Sequence, residues 1–122
     1  MQMIQITIHG EKFEGDFLNP DVMERYENAI DRARTEAARQ VEGESGSQGV
    51  RRQCDVVRSC IDTVLGEGSA DKLMPGGPDL LTCLDIFEEL CLLGEKQITP
   101  LIQRRVMKYS ARRAARNAKS SD

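Results

Sequence analysis

The run Asp79-Leu80-Leu81-Thr82-Cys83-Leu84-Asp85-Ile86-Phe87-Glu88-Glu89-Leu90-Cys91-Leu92-Leu93 constrains this chain more than any other stretch. Leu80, Leu84, Phe87 and Cys91 recur at helical spacing, and Cys83, Ile86 and Leu90 widen the same stripe. Asp85, Glu88 and Glu89 hold the other side. One neighbour cannot cover that much apolar surface, so the remaining elements must be arranged around this helix. Leu81 and Leu92 bracket Asp85 and Glu88 on the face expected to be wet. The favoured reading has the N-terminal segment covering these leucines; the alternative leaves them for a partner.

The rest of the chain divides at clear punctuation. Ile4, Ile6 and Ile8 alternate, and Phe13 and Phe17 follow a turn at His9-Gly10-Glu11-Lys12, which reads as a β-hairpin. A lone hairpin is marginal in water, so its apolar face is expected on the helices, or its edge against another subunit. Asn19-Pro20-Asp21 has the form of a helix start, with Asn19 as cap and Pro20 in the first position. Val22, Tyr26, Ala29, Ile30, Ala33, Ala37 and Val41 form one stripe. Gly43 to Gly49 reads as a flexible loop. Val50, Cys54, Val57, Ile61 and Val64 then make a seam at four- and three-residue steps, suited to packing between near-antiparallel helices. Ser69 is placed to cap a short turn through Leu73, and Pro75-Gly76-Gly77-Pro78 breaks the chain before the leucine-rich helix. Thr99 and Pro100 read as the cap and first residue of a further helix whose apolar stripe is Leu101, Ile102, Val106 and Tyr109.

The expected fold is therefore mainly α: a bundle of about four helices with an N-terminal β-hairpin. One domain spans 1–109, with the hairpin at 3–18 and helices at about 20–42, 49–65, 79–94 and 99–109. Residues 110–122 form a basic C-terminal arm, and continuation of the last helix into it is left open. The core must be aliphatic, since Phe and Tyr number five together and Trp is absent.

Charge divides unevenly. Residues 1–97 carry 10 Lys+Arg against 19 Asp+Glu, residues 98–122 carry 7 against 1, and the net of −3 conceals the split. An acidic body with a basic arm points to an anionic partner for the arm, or to the arm docking on an acidic body. No apolar run is long enough to span a membrane, so no membrane association is expected. Met1-Gln2-Met3-Ile4-Gln5 does not have the form of a signal peptide, so the cytoplasm is the expected location. The four cysteines, Cys54, Cys60, Cys83 and Cys91, are then reduced thiols, and their spacings of six, twenty-three and eight are not those of a zinc site.

No chemistry-bearing constellation emerges, and no catalytic residue, metal ligand or cofactor is expected. His9 falls in a turn, where a histidine is ordinarily solvated. Glu24, Glu27 and Asp31 lie on adjoining turns as di-metal carboxylates do, but the accompanying histidines are missing from these helices. Gly66-Glu67-Gly68 and Gly76-Gly77 lack the lysine and hydroxyl of a phosphate loop. Arg104, Arg105, Lys108, Arg112, Arg113, Arg116 and Lys119 invite a nucleic-acid hypothesis through release of phosphate counterions. Tyr109 is the sole aromatic among them, which leaves no stacking platform. A solvated or protein-docking arm is the preferred reading, with nucleic acid as the alternative. The candidate partner-binding residues are Leu81, Asp85, Glu88 and Leu92 on one helix, with Arg104, Arg105, Lys108, Arg112, Arg113 and Arg116 on the arm.

Several segments together resemble small proteins encoded in phage and prophage tail modules. They run from Ile8-His9-Gly10-Glu11-Lys12-Phe13 through Phe17-Leu18-Asn19-Pro20-Asp21-Val22-Met23-Glu24-Arg25-Tyr26-Glu27. Gln53-Cys54-Asp55-Val56-Val57, Phe87-Glu88-Glu89, and Tyr109-Ser110 followed by Arg-Ala repeats complete the set, over roughly residues 4 to 116. The layout is similar to that of the tail assembly chaperone group. That resemblance implies a non-enzymatic role: binding the long, helical tape-measure protein and keeping it soluble until tail-tube subunits polymerise around it. It also implies a mostly helical protein, with self-association left open. No binding residue is carried over from the group.

Overall fold

The computed structural model describes residues 3–120, with side chains described through residue 116. The fold is mainly α with an N-terminal antiparallel hairpin. Strands β1 (Ile4–Ile8) and β2 (Glu11–Gly15) pair with Ile6 opposite Phe13 and Ile8 opposite Glu11. The loop is therefore two residues, His9 and Gly10, both with positive φ at 50° and 80°. That is the twist-matched geometry of a tight hairpin turn, and it is tighter than the four-residue turn read from the sequence. Ile6, Ile8 and Phe13 are buried while Gln5 and Thr7 are exposed, so the apolar face lies on the helices as expected.

Helix α1 (Pro20–Ala38) begins as its sequence dictates. The Asn19 side chain accepts from the backbone N–H groups of Asp21 at 2.9 Å and Val22 at 3.4 Å, and Pro20 occupies the first turn. The helix ends four residues before the expected 42, with Arg39 already extended at ψ 132°. Its last carbonyls are taken from outside: Arg52 donates to the Glu36 and Arg39 oxygens and Gln53 to that of Ala37. Capped in this way, the helix has no cause to continue, and Val41, expected in its apolar stripe, is exposed.

Helix α2 (Gly46–Leu65) starts three residues earlier than expected, inside the segment read as a loop. Ser45 and Gln48 form a reciprocal capping box, which outweighs the poor helix propensity of Gly46 and Gly49. Cys54, Val57, Ile61 and Val64 are buried along the expected seam, but Val50 at its head is exposed. α2 runs antiparallel to α1, with Gln53 meeting Ala37 near one end and Ala29 and Thr63 lining one groove near the other.

The short helix α3 (Ser69–Leu73) is not capped by Ser69, which is its first residue and buried. Gly68 precedes it in the left-handed region, and Asp62 of α2 accepts from the Ala70 N–H at 2.9 Å instead. Helix α4 (Leu80–Cys91) is shorter than the expected 79–94. Asp79 stands outside it as the cap, accepting from the Thr82 backbone N–H at 3.1 Å and the Thr82 hydroxyl at 2.9 Å.

By contact pattern the chain divides into two compact units, Met1–Cys91 and Leu92–Asp122. The second unit holds one widened π turn, Gly94–Ile98, and helix α5 (Thr99–Ser120). Thr99 does not cap this helix: it is itself helical (φ −58°, ψ −46°), and its N–H bonds the Gly94 carbonyl. Pro100 cannot donate, and its ring crowds the carbonyl four residues back. A wide turn immediately before it is a usual accommodation. α5 extends well beyond the expected 109, to Ser120 within the segment read as an arm.

Candidate interaction surfaces

Two helical faces carry the residues singled out in the sequence. The first is the outer side of α4. Its inner side is anchored by Cys83, Ile86 and Leu90, all essentially fully buried. The stripe thus centres on these three and not on Leu80, Leu84, Phe87 and Cys91. The rotation exposes Leu84 at 44% as well as Leu81 at 69%. Leu81 is therefore not covered by the hairpin, contrary to the favoured sequence reading. With Asp85 and Glu88, both exposed, the leucines form one face over two turns. Leu92, the remaining candidate of this group, follows the end of α4 and is half-buried.

Glu89, expected on the wet side, has a structural duty. Its carboxylate accepts from the His9 backbone N–H at 3.1 Å and lies 3.7 Å from the His9 ring Nδ1. This ties the hairpin turn to α4. On the other strand, Lys72 stands over the Phe13 ring at 4.9 Å and reaches Glu11 at 4.0 Å. Hairpin and helices are thereby held together by polar contacts around the buried Ile6, Ile8 and Phe13.

The second face belongs to α5. Of Leu101, Ile102, Val106 and Tyr109, expected to supply the apolar stripe of a fourth bundle helix, Leu101 is half-buried and the other three are exposed, Val106 at 59% and Tyr109 at 73%. The periodicity was a true sign of amphipathicity, but it does not specify what covers the apolar side. All six candidate basic residues described on this helix are exposed. At 100° per residue they do not ring the helix. Arg104, Lys108 and Arg112 form one row at four-residue steps, Arg105 borders the Ile102–Tyr109 stripe, and Arg113 continues that stripe one turn past Tyr109. Arg116 joins the end of this arc beside Tyr109 and Arg112. The side chain of Lys119 lies outside the described residues. Between residues 98 and 120 the sequence holds no acidic residue.

Groups able to carry chemistry are dispersed. Among the described residues no set of three His, Cys, Asp or Glu side chains is placed to hold a metal ion. Glu24, Glu27 and Asp31 are exposed, and Asp31 faces Arg34 at 3.4 Å. Three thiols are buried and one, Cys91, is half-buried with the Arg34 guanidinium donating to its sulfur at 3.5 Å. Burial pushes the Cys60 thiol up to about 11, with Cys91 adding to it, and the Cys83 thiol up to about 12, with Cys54 adding to it. The Cys83 thiol also lies against the Met74 sulfur at 3.6 Å. Thiols of this kind are protonated, poor nucleophiles that act as small apolar side chains. A groove between α1 and α2, lined by Ala29, Ala33, Val56, Ser59, Cys60 and Thr63 with charged residues at its rim, offers about 320 Å³. No helix among the described residues is long and apolar enough to cross a membrane.

Residues 9–120 match the model of a family of unknown function, DUF6673. No curated protein and no solved structure matches the chain.

Proposed function

The chain belongs to the DUF6673 family, and from that premise we propose that it is a non-enzymatic binding protein that holds a helical protein partner, as a phage tail assembly chaperone holds the tape-measure protein. The observation that carries this reading is the outer face of α4. Leu81 and Leu84 stand bare beside Asp85 and Glu88 on a helix whose opposite side is fixed in the core. Exposed leucines on a rigid support fit recognition of an amphipathic helix, which supplies apolar anchors at matching steps. The flanking carboxylates favour a partner with basic residues beside those anchors. The tail-module assignment rests on the sequence resemblance, and such a chaperone would act in the cytoplasm of the bacterial host.

Co-expression with the tape-measure protein from the same tail module tests the reading. The expected result is co-purification of the two and a larger soluble fraction of the partner. Leu81→Asp with Leu84→Asp should abolish both effects while leaving the chain folded. A partner that never co-purifies, or whose solubility is indifferent to the double substitution, overturns the proposal.

The basic arc of α5 supports a second reading, in which the chain associates with nucleic acid. Binding of that kind must weaken steeply between low and moderate salt as counterions are released. Failure to retard DNA or RNA even at low salt removes it.

A further inference from the structure

Among the described residues, two exposed helical faces carry opposite charges. On α4, Leu81 and Leu84 lie with Asp85 and Glu88; on α5, Ile102, Val106 and Tyr109 lie with Arg105, Arg112 and Arg113. The α4 face from Leu81 to Glu88 and the α5 stripe from Ile102 to Tyr109 each run over seven residue steps, about 10 Å at 1.5 Å per residue, with the apolar part of the α4 face confined to its first turn. The complementarity extends to the units that bear them. Met1–Cys91 carries 9 Lys+Arg against 18 Asp+Glu, whereas Leu92–Asp122 carries 8 against 2, giving −9 and +6.

We infer that α5 of one copy docks on the outer face of α4 in a second copy, making the chain a self-associating protein. Charge selects this pairing over the others open to two identical chains. Two α5 helices meeting side by side would bring together two cationic arcs with no acid between residues 98 and 120. Two α4 faces would oppose Asp85 and Glu88 to their own copies. Only the α5-to-α4 contact brings leucines against the Ile102–Tyr109 stripe while facing carboxylates with guanidinium groups, and like-charge juxtaposition is strongly disfavoured. Apolar burial supplies the attraction, and the charges supply register and choice of partner. Two rows of this length bury little area, so a single contact is weak. When each copy both gives its α5 and receives one, the contact is doubled and the assembly closes as a two-fold dimer. The inference shares the α4 face with the functional reading above but not its partner. A dimer that never captures a tape-measure protein would fail that reading alone.

Sedimentation velocity of the purified full chain over a concentration series tests this. At low salt the mass should rise from 13.6 kDa towards about twice that value, and moderate salt should shift the midpoint to higher concentration. Asp85→Arg with Glu88→Arg, and separately Arg105→Glu with Arg112→Glu, should each leave the chain monomeric. Mixing the two variants should restore the dimer, because the cationic α5 of the first then meets the acidic α4 of the second, and the reversed pair also matches. Should a reversed variant lose its helical circular dichroism, Asp85→Asn with Glu88→Gln takes its place and must raise the dimerisation midpoint several-fold. A chain that is monomeric at every concentration overturns the inference. So does a dimer that survives both charge reversals, or a monomer whose α5 instead binds duplex DNA or anionic vesicles.

Discussion

Arg52 is bound to Glu44 through two hydrogen bonds, from Nε at 2.9 Å and Nη2 at 3.3 Å, and both side chains are largely shielded from solvent. The same guanidinium donates to the Glu36 carbonyl at 2.7 Å and the Arg39 carbonyl at 2.8 Å. One side chain thus closes the C-terminus of α1, fixes the loop to α2 and joins the two helices. The placement of a cation at a helix C-terminus adds a favourable dipole interaction. Arg52→Ala leaves the carboxylate and both carbonyls without this donor, and is expected to lower the urea midpoint markedly with little change in slope. Arg52→Lys should recover little of the loss, because a lysine cannot reproduce the planar fork. Glu44→Gln should cost less than either, since the two carbonyl bonds remain.

Gly15 closes β2 where the Phe17 ring passes beneath the backbone. A Cβ at position 15 would fall 2.7 Å from two atoms of that ring, and Phe17 is 1% exposed. Its ring also packs against Tyr26 at 5.3 Å, linking the end of the hairpin to α1. Gly15→Ala is expected to destabilise by about 1–3 kcal/mol, the usual cost of overpacking a well-filled site. Phe17→Leu should absorb part of that clash. In a double-mutant cycle with thermal or urea unfolding, the pair should therefore cost less than the sum of the single changes.

Some determinants of this fold are local in the sequence and others act across it. Asn19 with Pro20, the alternation of Ile6 and Ile8, and the α2 seam are local patterns whose partners lie within a few residues, and each was readable from the chain. The end of α1 depends on Arg52, thirteen residues beyond Arg39, and the close fit of Gly15 depends on where a ring is packed. Neither has a local signature. The Ser45–Gln48 capping box did have one, in a serine followed three residues later by glutamine, and the surrounding glycines masked it. On α4 the residue pattern located the apolar helix but left its rotation open by about one side chain, which is why Leu84 appeared as core. The stripe on α5 was visible, but nothing in a stripe distinguishes a buried face from a waiting one.

The thiols give a graded chemical readout of the core. Cys91 is half-buried, whereas Cys54, Cys60 and Cys83 are buried. Maleimide labelling of the native chain followed by mass spectrometry should modify Cys91 first, and the other three only under denaturing conditions. Cys60 and Cys83 are held above the ordinary thiol value of 9.0, at about 11 and about 12. Because folding favours their protonated forms, their contribution to stability is fully present below pH 9. It is lost as pH rises through the folded values. Urea midpoints should therefore fall between pH 9 and 11, and a Cys60→Ala, Cys83→Ala chain should show a shallower fall. An unchanged slope would assign the alkaline loss to other groups.

Helix α5 is strained by its own charge. Arg104 and Lys108, and Lys108 and Arg112, are like-charged pairs at four-residue spacing, and Arg105 adds a third against Lys108 at three. Each such pair costs about 0.2–0.5 kcal/mol on a solvated helix, and no acid on this segment offsets it. Lys108 sits at the centre of all three. Lys108→Glu converts the three repulsions into attractions, a swing of roughly 1–3 kcal/mol by the same scale. In dilute solution, where the chain is monomeric, the substitution should raise the circular dichroism at 222 nm and slow amide exchange across residues 102–112. Added salt should raise the helicity of the unaltered chain for the same reason, by screening the row. It should do less for the variant, whose pairs are then attractive and weakened by salt. Salt has the opposite effect on the docking of α5 to a second copy, which it loosens. Helicity at low concentration and mass at high concentration therefore move in opposite directions as salt rises, and a shared direction would show that α5 is stabilised by something other than relief of its own repulsion.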